Sequence, residues 1–250
     1  MNVFGKKIPA TTSLLVWFLI WELVGRSEAL VLIPPFTGVV EAAFTIIPTA
    51  KFQNAIDITL RGFLAGMALA IAVGIPLGAA MGRVRSVDAL FNVWINIFVS
   101  APLTAVVPVL MVIFGFGQVT VVVTVFLFAV WIIALDTRAG VKNVNPSLLD
   151  MARSFGASRV QIYTRVIALA ALPEILAGVR LGLIRGVKGV VIGQLLIAIL
   201  GIGELFELYS RNFLMEEFWA LIIMVFGFAF AASELVGYIE RRIEYYAGSR

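Results

Sequence analysis

The 250-residue sequence contains no cysteine and no histidine. That double absence excludes disulfides, thiolate and imidazole metal sites, and both Ser-His and Cys-His catalysis. No catalytic residue and no metal-ligand set is assigned. Missing cysteines carry no message about compartment, because a membrane protein needs no disulfide staple. Charge is scarce as well: 14% of residues are Asp, Glu, Lys or Arg, against about 25% in a soluble domain. What fills the chain is apolar, with 61% hydrophobic residues and a mean hydropathy of +1.03. Such a chain folds in lipid.

A helical span needs about 20 mostly apolar residues, and the apolar stretches run over 8–24, 56–81, 89–114, 119–135, 175–200 and 218–238. They predict an all-α membrane protein of about six transmembrane helices, with the whole of 1–250 in one transmembrane domain. The first stretch follows Lys6 and Lys7 as a signal peptide would, but no A-x-A-like site follows it, so it reads as a retained span. After Pro34 and Pro35, Thr37 is a candidate N-cap for a short interfacial helix with Val39, Val40, Ala43, Phe44 and Ile47 on one face. Charge sets the orientation. Twelve basic residues (Lys6, Lys7, Arg83, Arg85, Arg138, Lys142, Arg153, Arg159, Arg165, Arg241, Arg242 and Arg250) fall on one side, and four (Arg26, Lys51, Arg61 and Arg211) on the other. This bias places both termini in the cytoplasm.

The second span carries Gly62, Gly66, Ala70, Gly74, Gly78 and Gly82 along one helical seam, which reads as a close helix–helix contact. Pro76 in that span, with Pro102 and Pro108 in the third, removes helix hydrogen bonds and should kink or loosen its helix. The fifth span holds Arg180, Arg185 and Lys188, and a charge near mid-membrane costs at least about 2.5 to 3.5 kcal/mol. Arg180 can snorkel to the interface. Arg185 and Lys188 either bond carbonyls and acids on neighbouring spans or line a water-filled pathway whose potential they make positive. Gln194 can offer a neutral hydrogen-bonding group further along the same route. Pro102 and Pro108 join these three as candidate pathway residues. Asp57 and Arg61 stand at helical pairing distance.

The longest polar insertion, over 137–173, lies on the basic side. Asn145 and Pro146 read as N-cap and first helical residue, with Ser147 and Asp150 as a shifted alternative. Leu148, Leu149, Ala152 and Phe155 form an apolar face, Gly156 stands at a left-handed C-cap position, and Ser158 with Gln161 makes a second capping box. A helix this short is marginal alone. Its face is buried against the membrane surface, the protein's own spans or a groove on a soluble protein.

The run DMARSFGASRVQIYTRVIALAALPEILAGVR from Asp150 resembles the EAA loop of binding-protein-dependent ABC import permeases, with Asp150, Met151, Ala152 and Gly156 at the pattern positions. IPPFTGVVEAA from Ile33, GFLAGMALAIAVGIPLGAAMGR from Gly62 and LPEILAGVRLGL from Leu172 resemble the nitrate, sulfonate and taurine branch of that family. Asp150 stands where Glu is usual, Leu169 where many relatives carry Pro, and Gln194 where many carry Glu. The resemblance implies the type I importer permease fold found in MetI. It implies that Leu148, Leu149, Asp150, Met151, Ala152, Arg153, Phe155 and Gly156 form a coupling helix seated on an ATPase. It further implies a second permease copy, two ATPase copies and an extracytoplasmic binding protein that delivers a small solute, expected to be anionic.

No G-x-x-x-x-G-K-[ST] loop is present, so ATP and Mg are expected on a separate ATPase and this chain is expected to be a non-enzymatic pore subunit of a bacterial cytoplasmic membrane. Its other partner is the lipid bilayer, and no nucleic acid is expected. Two alternatives compete: a secondary transporter without an ATPase, and a non-transporting scaffold. Against the first, no internal repeat is visible, and Glu22, Asp57, Asp88, Asp136, Glu174 and Glu234 mostly sit near span ends.

Overall fold

The computed structural model describes residues 10–27 and 30–247, together with a two-residue antiparallel pairing of Asn2–Val3 with Lys6–Lys7. Ile8 and Pro9 of the expected first span, and Arg250 of the basic set, lie outside the described residues. Beyond that pairing, the described regular structure is helical. Helices α3 (Ala50–Arg83), α6 (Gln118–Lys142) and α12 (Met215–Ala247) contain segments long and apolar enough to cross a membrane, and two bent pairs of helices raise the number to five. Helix α1 (Ala10–Arg26) has 17 residues. At 1.5 Å per residue this described part spans roughly 25 Å, at the lower end of the range of about 17 to 25 residues that a crossing takes.

The centre of the molecule is α6. Val121, Val125, Ala129 and Ile133 on it are fully buried, and Thr124 returns its hydroxyl to the Thr120 carbonyl at 2.7 Å, so that hydroxyl is satisfied within the helix. Two glycine seams press on it from opposite neighbours. On α3, the predicted seam meets α6 directly: a Cβ at Gly66 would lie 2.5 Å from Val125 Cβ, and one at Gly78 would lie 2.4 Å from the Ala134 carbonyl oxygen. On α10 (Leu172–Ile197), Gly178, Gly182 and Gly189 do the same against Asp136, Ile133 and Phe128. Close backbone approach supplies the van der Waals contact that the hydrophobic effect cannot supply between helices in lipid.

The third apolar stretch is not the straight helix that its hydropathy predicts. Helix α4 (Arg85–Ser100) ends at Ala101, and the chain resumes over Leu103–Phe114 at an angle of 97°. Pro102 is the cause. It lacks an N–H, and its ring drives Ala101 into extended backbone, φ −70° and ψ 146°. A 3₁₀ turn, Leu103–Val106, then leads into α5 (Val107–Phe114). Pro108 sits in the first turn of α5, where a missing N–H costs nothing, so it starts a helix rather than kinking one.

One further expectation is corrected near the first helices, and Arg180 in span five acquires partners. Helix α2 (Phe36–Ile46) is preceded by Pro35, not Thr37, and no side chain of its own caps it. Instead Glu22 of α1 accepts from the Thr37 N–H at 2.9 Å and the Thr37 hydroxyl at 3.0 Å, placing a carboxylate where the helix dipole favours one. Arg180 Nε donates to Ser233 Oγ at 3.3 Å and its Nη2 lies 3.5 Å from Glu234 Oε1, binding α10 to α12. The predicted Asp57–Arg61 pair forms at 2.9 Å.

Candidate functional site

The insertion after α6 folds as its punctuation predicts. Asn145 Oδ1 accepts from the Ser147 N–H at 3.0 Å and caps α7 (Pro146–Ser154). At the far end the Ala157 N–H reaches the Ala152 carbonyl at 3.0 Å and the Gly156 N–H reaches that of Arg153 at 2.9 Å, the paired bonds of a Schellman cap. Gly156 accordingly has φ +74°. Ser158 and Gln161 bond reciprocally around the start of α8 (Arg159–Gln161), which continues through a π-helical segment, Ile162–Ile167, and α9 (Ala168–Ala170) to the 61° bend before α10.

The apolar face of α7 is divided. Leu149 and Ala152 are buried against Val141, Val144, Ile162, Ile167 and Ala171 of the same chain. Leu148, Met151 and Phe155 are exposed at 39%, 51% and 85%. The chain therefore covers its own half of the face and presents the other half outward. Asp150 pairs with Arg153 at 3.0 Å on the exposed side, a contact worth little by itself. The Arg83 guanidinium lies 5.7 Å from the Tyr163 ring and ties this unit to α3, while at the same end of the bundle Arg138 of α6 holds Asp88 of α4 through Nη2–Oδ2 at 2.9 Å and Nε–Oδ1 at 2.5 Å.

A second site forms where α4 breaks. The corner at Ala101 and Pro102, the rings of Phe98 and Phe128, and the side chains of Thr104, Arg185 and Lys188 enclose an open groove of about 260 Å³. Thr104 also borders an adjoining hollow of about 420 Å³ that contains Pro108. Lys188 is exposed and Arg185 half-buried. Neither makes a hydrogen bond or ion pair among the described residues.

Gln194 lies elsewhere. It is fully buried, with Oε1 accepting from Thr59 Oγ1 at 2.9 Å and from the Ile202 N–H at 3.2 Å. Helix α10 ends at Ala198 in a left-handed turn and α11 (Gly201–Arg211) begins at once. The first N–H groups of a helix need acceptors, and the Gln194 amide serves as one. The pathway assignment of Gln194 is corrected accordingly.

Sequence reasoning missed the Phe98, Thr104 and Phe128 walls: the first two stand near Pro102 in the sequence, and Phe128, on α6, carried no such signal. It also missed the α10 glycines, whose spacing was legible.

Residues 70–245 match the family described as binding-protein-dependent transport system inner membrane component. A probable ABC transporter permease of Brucella melitensis is 34% identical over 183 residues, 73% of this chain and 74% of that protein. The taurine transport system permease protein TauC of Escherichia coli is 30% identical over 88% of this chain and 80% of its own length. A carnitine transport permease protein, OpuCD of Listeria monocytogenes, is 29% identical over 71% of this chain and 80% of its own. Among solved structures, an inward-facing MetNI methionine ABC transporter superposes with a TM-score of 0.61 at 21% identity, covering 74% of this chain and 93% of that one. The family match over most of the chain and these relatives establish that the chain belongs to the binding-protein-dependent inner-membrane permeases of ABC transporters.

Proposed function

We propose that this permease carries a small anionic solute, such as a sulfonate, nitrate or carboxylate, through the groove between the α4 break and α10. The observation that carries the reading is the convergence of Arg185 and Lys188, both unpaired among the described residues, on one open groove. Two cations at that depth without counter-ions cost several kcal/mol unless water or an anion satisfies them. The relatives alone do not choose the solute, because their names include taurine, sulfonates and carnitine. The positive groove does favour an anion.

In the same reading the exposed Leu148, Met151 and Phe155 of α7 seat in a separate ATPase that binds ATP and Mg, a second permease copy completes the pathway, and an extracytoplasmic binding protein delivers the solute. Family membership supports this arrangement over a secondary transporter or a scaffold. Lys188→Met tests it, since the side chain is exposed and its replacement leaves the packing intact. Assembly and basal ATP hydrolysis are expected to persist, while uptake of an anionic solute into proteoliposomes falls about tenfold or more, as the loss of one charge contact in a low-dielectric site would cause. An unchanged uptake rate, or a transported solute that proves cationic, removes the groove from the pathway.

A further inference from the structure

The groove has three helical walls, and they are not held alike. Phe128 stands on α6, and Arg185 and Lys188 on α10, two helices clamped along the seam of Gly178, Gly182 and Gly189. The third wall is the end of α4, with Phe98, Val99 and the Pro102 corner. That helix contains no glycine and has no such seam. Ile95 is its one buried residue, set in a small cluster with Met81 and Ala134, while Leu90, Val93, Trp94 and Ile97 are exposed. Two side-chain contacts fix α4 to α6 on either side of that cluster. Near the groove, the Phe98 ring stacks on Trp131 at 4.5 Å. Ten residues earlier, or about 15 Å along the helix, Asp88 in the first turn of α4 is held by the two guanidinium contacts of Arg138.

This ion pair differs from the others. Its side chains are 20% and 22% exposed, whereas Arg180–Glu234, Asp150–Arg153 and the i,i+4 pairs each leave one partner at least 45% exposed. A two-point guanidinium–carboxylate contact fixes direction as well as distance. Once screened from water it is costly to break, because either charge would be left covered and alone. Arg138 also stands at a particular place on α6: one turn further on, Val141 and then Val144 form the buried base of α7 with Leu149 and Ala152. The stretch 138–144 therefore carries both the seat of α7 and the tether of α4. The Arg83–Tyr163 contact reaches α3, which lines no part of this groove.

We infer that Asp88 and Arg138 are positioning residues for transport: their pair carries a displacement of α7 through the end of α6 into α4, and so sets where the least anchored wall of the groove stands. This rests on the readings of α7 as the ATPase seat and of the groove as the route. Adjacency alone does not establish coupling, so the test follows α4 itself. The chain has no native cysteine, and Val93 on α4 and Leu69 on α3 are both exposed. Nitroxides at Val93→Cys and Leu69→Cys report the position of α4 by pulsed electron paramagnetic resonance, with labelled permease diluted among unlabelled copies. In proteoliposomes with the ATPase bound, ATP is expected to shift this distance when the pair is intact. Asp88→Asn and Arg138→Gln should each lose most of the shift, and Arg138→Lys, which keeps the charge but not the fork, part of it. Reversing the pair, Asp88→Arg with Arg138→Asp, should bring the shift back, and it decides the matter where a neutral variant fails to fold. A full shift in the neutral variants, even with a lowered melting temperature, means that the pair only packs the helices and overturns the inference. A reversed pair that folds without recovering any of the shift overturns it too, as does the absence of any ATP-dependent shift with the pair intact. No solute enters this measurement, so its failure is distinct from a failure of the uptake test on Lys188→Met.

Discussion

At Gly156 the requirement is conformational and not spatial. Nothing lies within 4 Å of a Cβ built there, yet its φ is +74°. A β-branched side chain in that conformation costs about 1–2 kcal/mol, enough to shift the α7 cap without unfolding the spans. Gly156→Val is therefore expected to reach the membrane at normal levels while losing coupling between ATP hydrolysis and uptake, measured side by side in proteoliposomes. Normal uptake would show that the cap is not transmitting anything. The division of the α7 face allows a paired measurement. Leu149 is buried at 8% exposure and Phe155 is exposed at 85%, so Leu149→Ala should cost about 2–5 kcal/mol of stability and lower the yield of folded protein. Phe155→Ala should leave thermal stability alone and weaken ATPase binding by about 2 kcal/mol, as an aromatic anchor would. Equal effects of the two on stability would contradict the division.

Among the elements, α6 owes its central place to what its neighbours lack. Glycine at 78 lets the α3 backbone sit against the Ala134 carbonyl, where a Cβ would come to 2.4 Å. Gly78→Val should force α3 and α6 apart, with a loss of about 1–3 kcal/mol or more, seen as a lower melting temperature in nanodiscs. Gly227 on α12 has open space around the position of a Cβ, and Gly227→Ala should be neutral or stabilising by up to about 1 kcal/mol. A Gly78→Val protein as stable as the original would show that the seam is not a tight contact. The broken α4–α5 pair belongs to the same scale: one proline converts an apolar stretch long enough for a straight span into a corner, and that corner forms one wall of the groove.

For the molecule as a whole, the distribution of basic residues predicts the orientation in the membrane. Each of the four basic residues on the sparsely basic side is matched by an acid: Arg26 by Glu22, Lys51 by Glu204, Arg61 by Asp57 and Arg211 by Glu207. Both termini and α7 are expected inside. A reporter that is active only outside the cytoplasm should stay silent when fused after Arg250 and give signal when inserted near Lys51. The opposite pattern would invert the molecule and move α7 away from any ATPase.

Much of this was determined by sequence alone, because the signals were local. Apolar runs marked the spans, Asn145, Pro146, Gly156 and the Ser158–Gln161 box marked the loop helices, and the α3 glycines marked a packing seam. Each rests on hydrogen bonds or contacts within a turn or along one helix face. The remainder depended on which helices meet. Gln194 and Lys188 looked like members of one route, six residues apart on one helix, until the α10–α11 turn claimed the first for capping and the α4 corner opened a groove beside the second. Leu149 and Phe155 carried the same apolar signal, and only the return of the π-helical segment against α7 separated inside from outside. Asp136 gained a neighbour in Gly178 that lies 42 residues away in sequence. Burial, pairing and access are properties of neighbours distant along the chain, and no periodicity along a single helix encodes them.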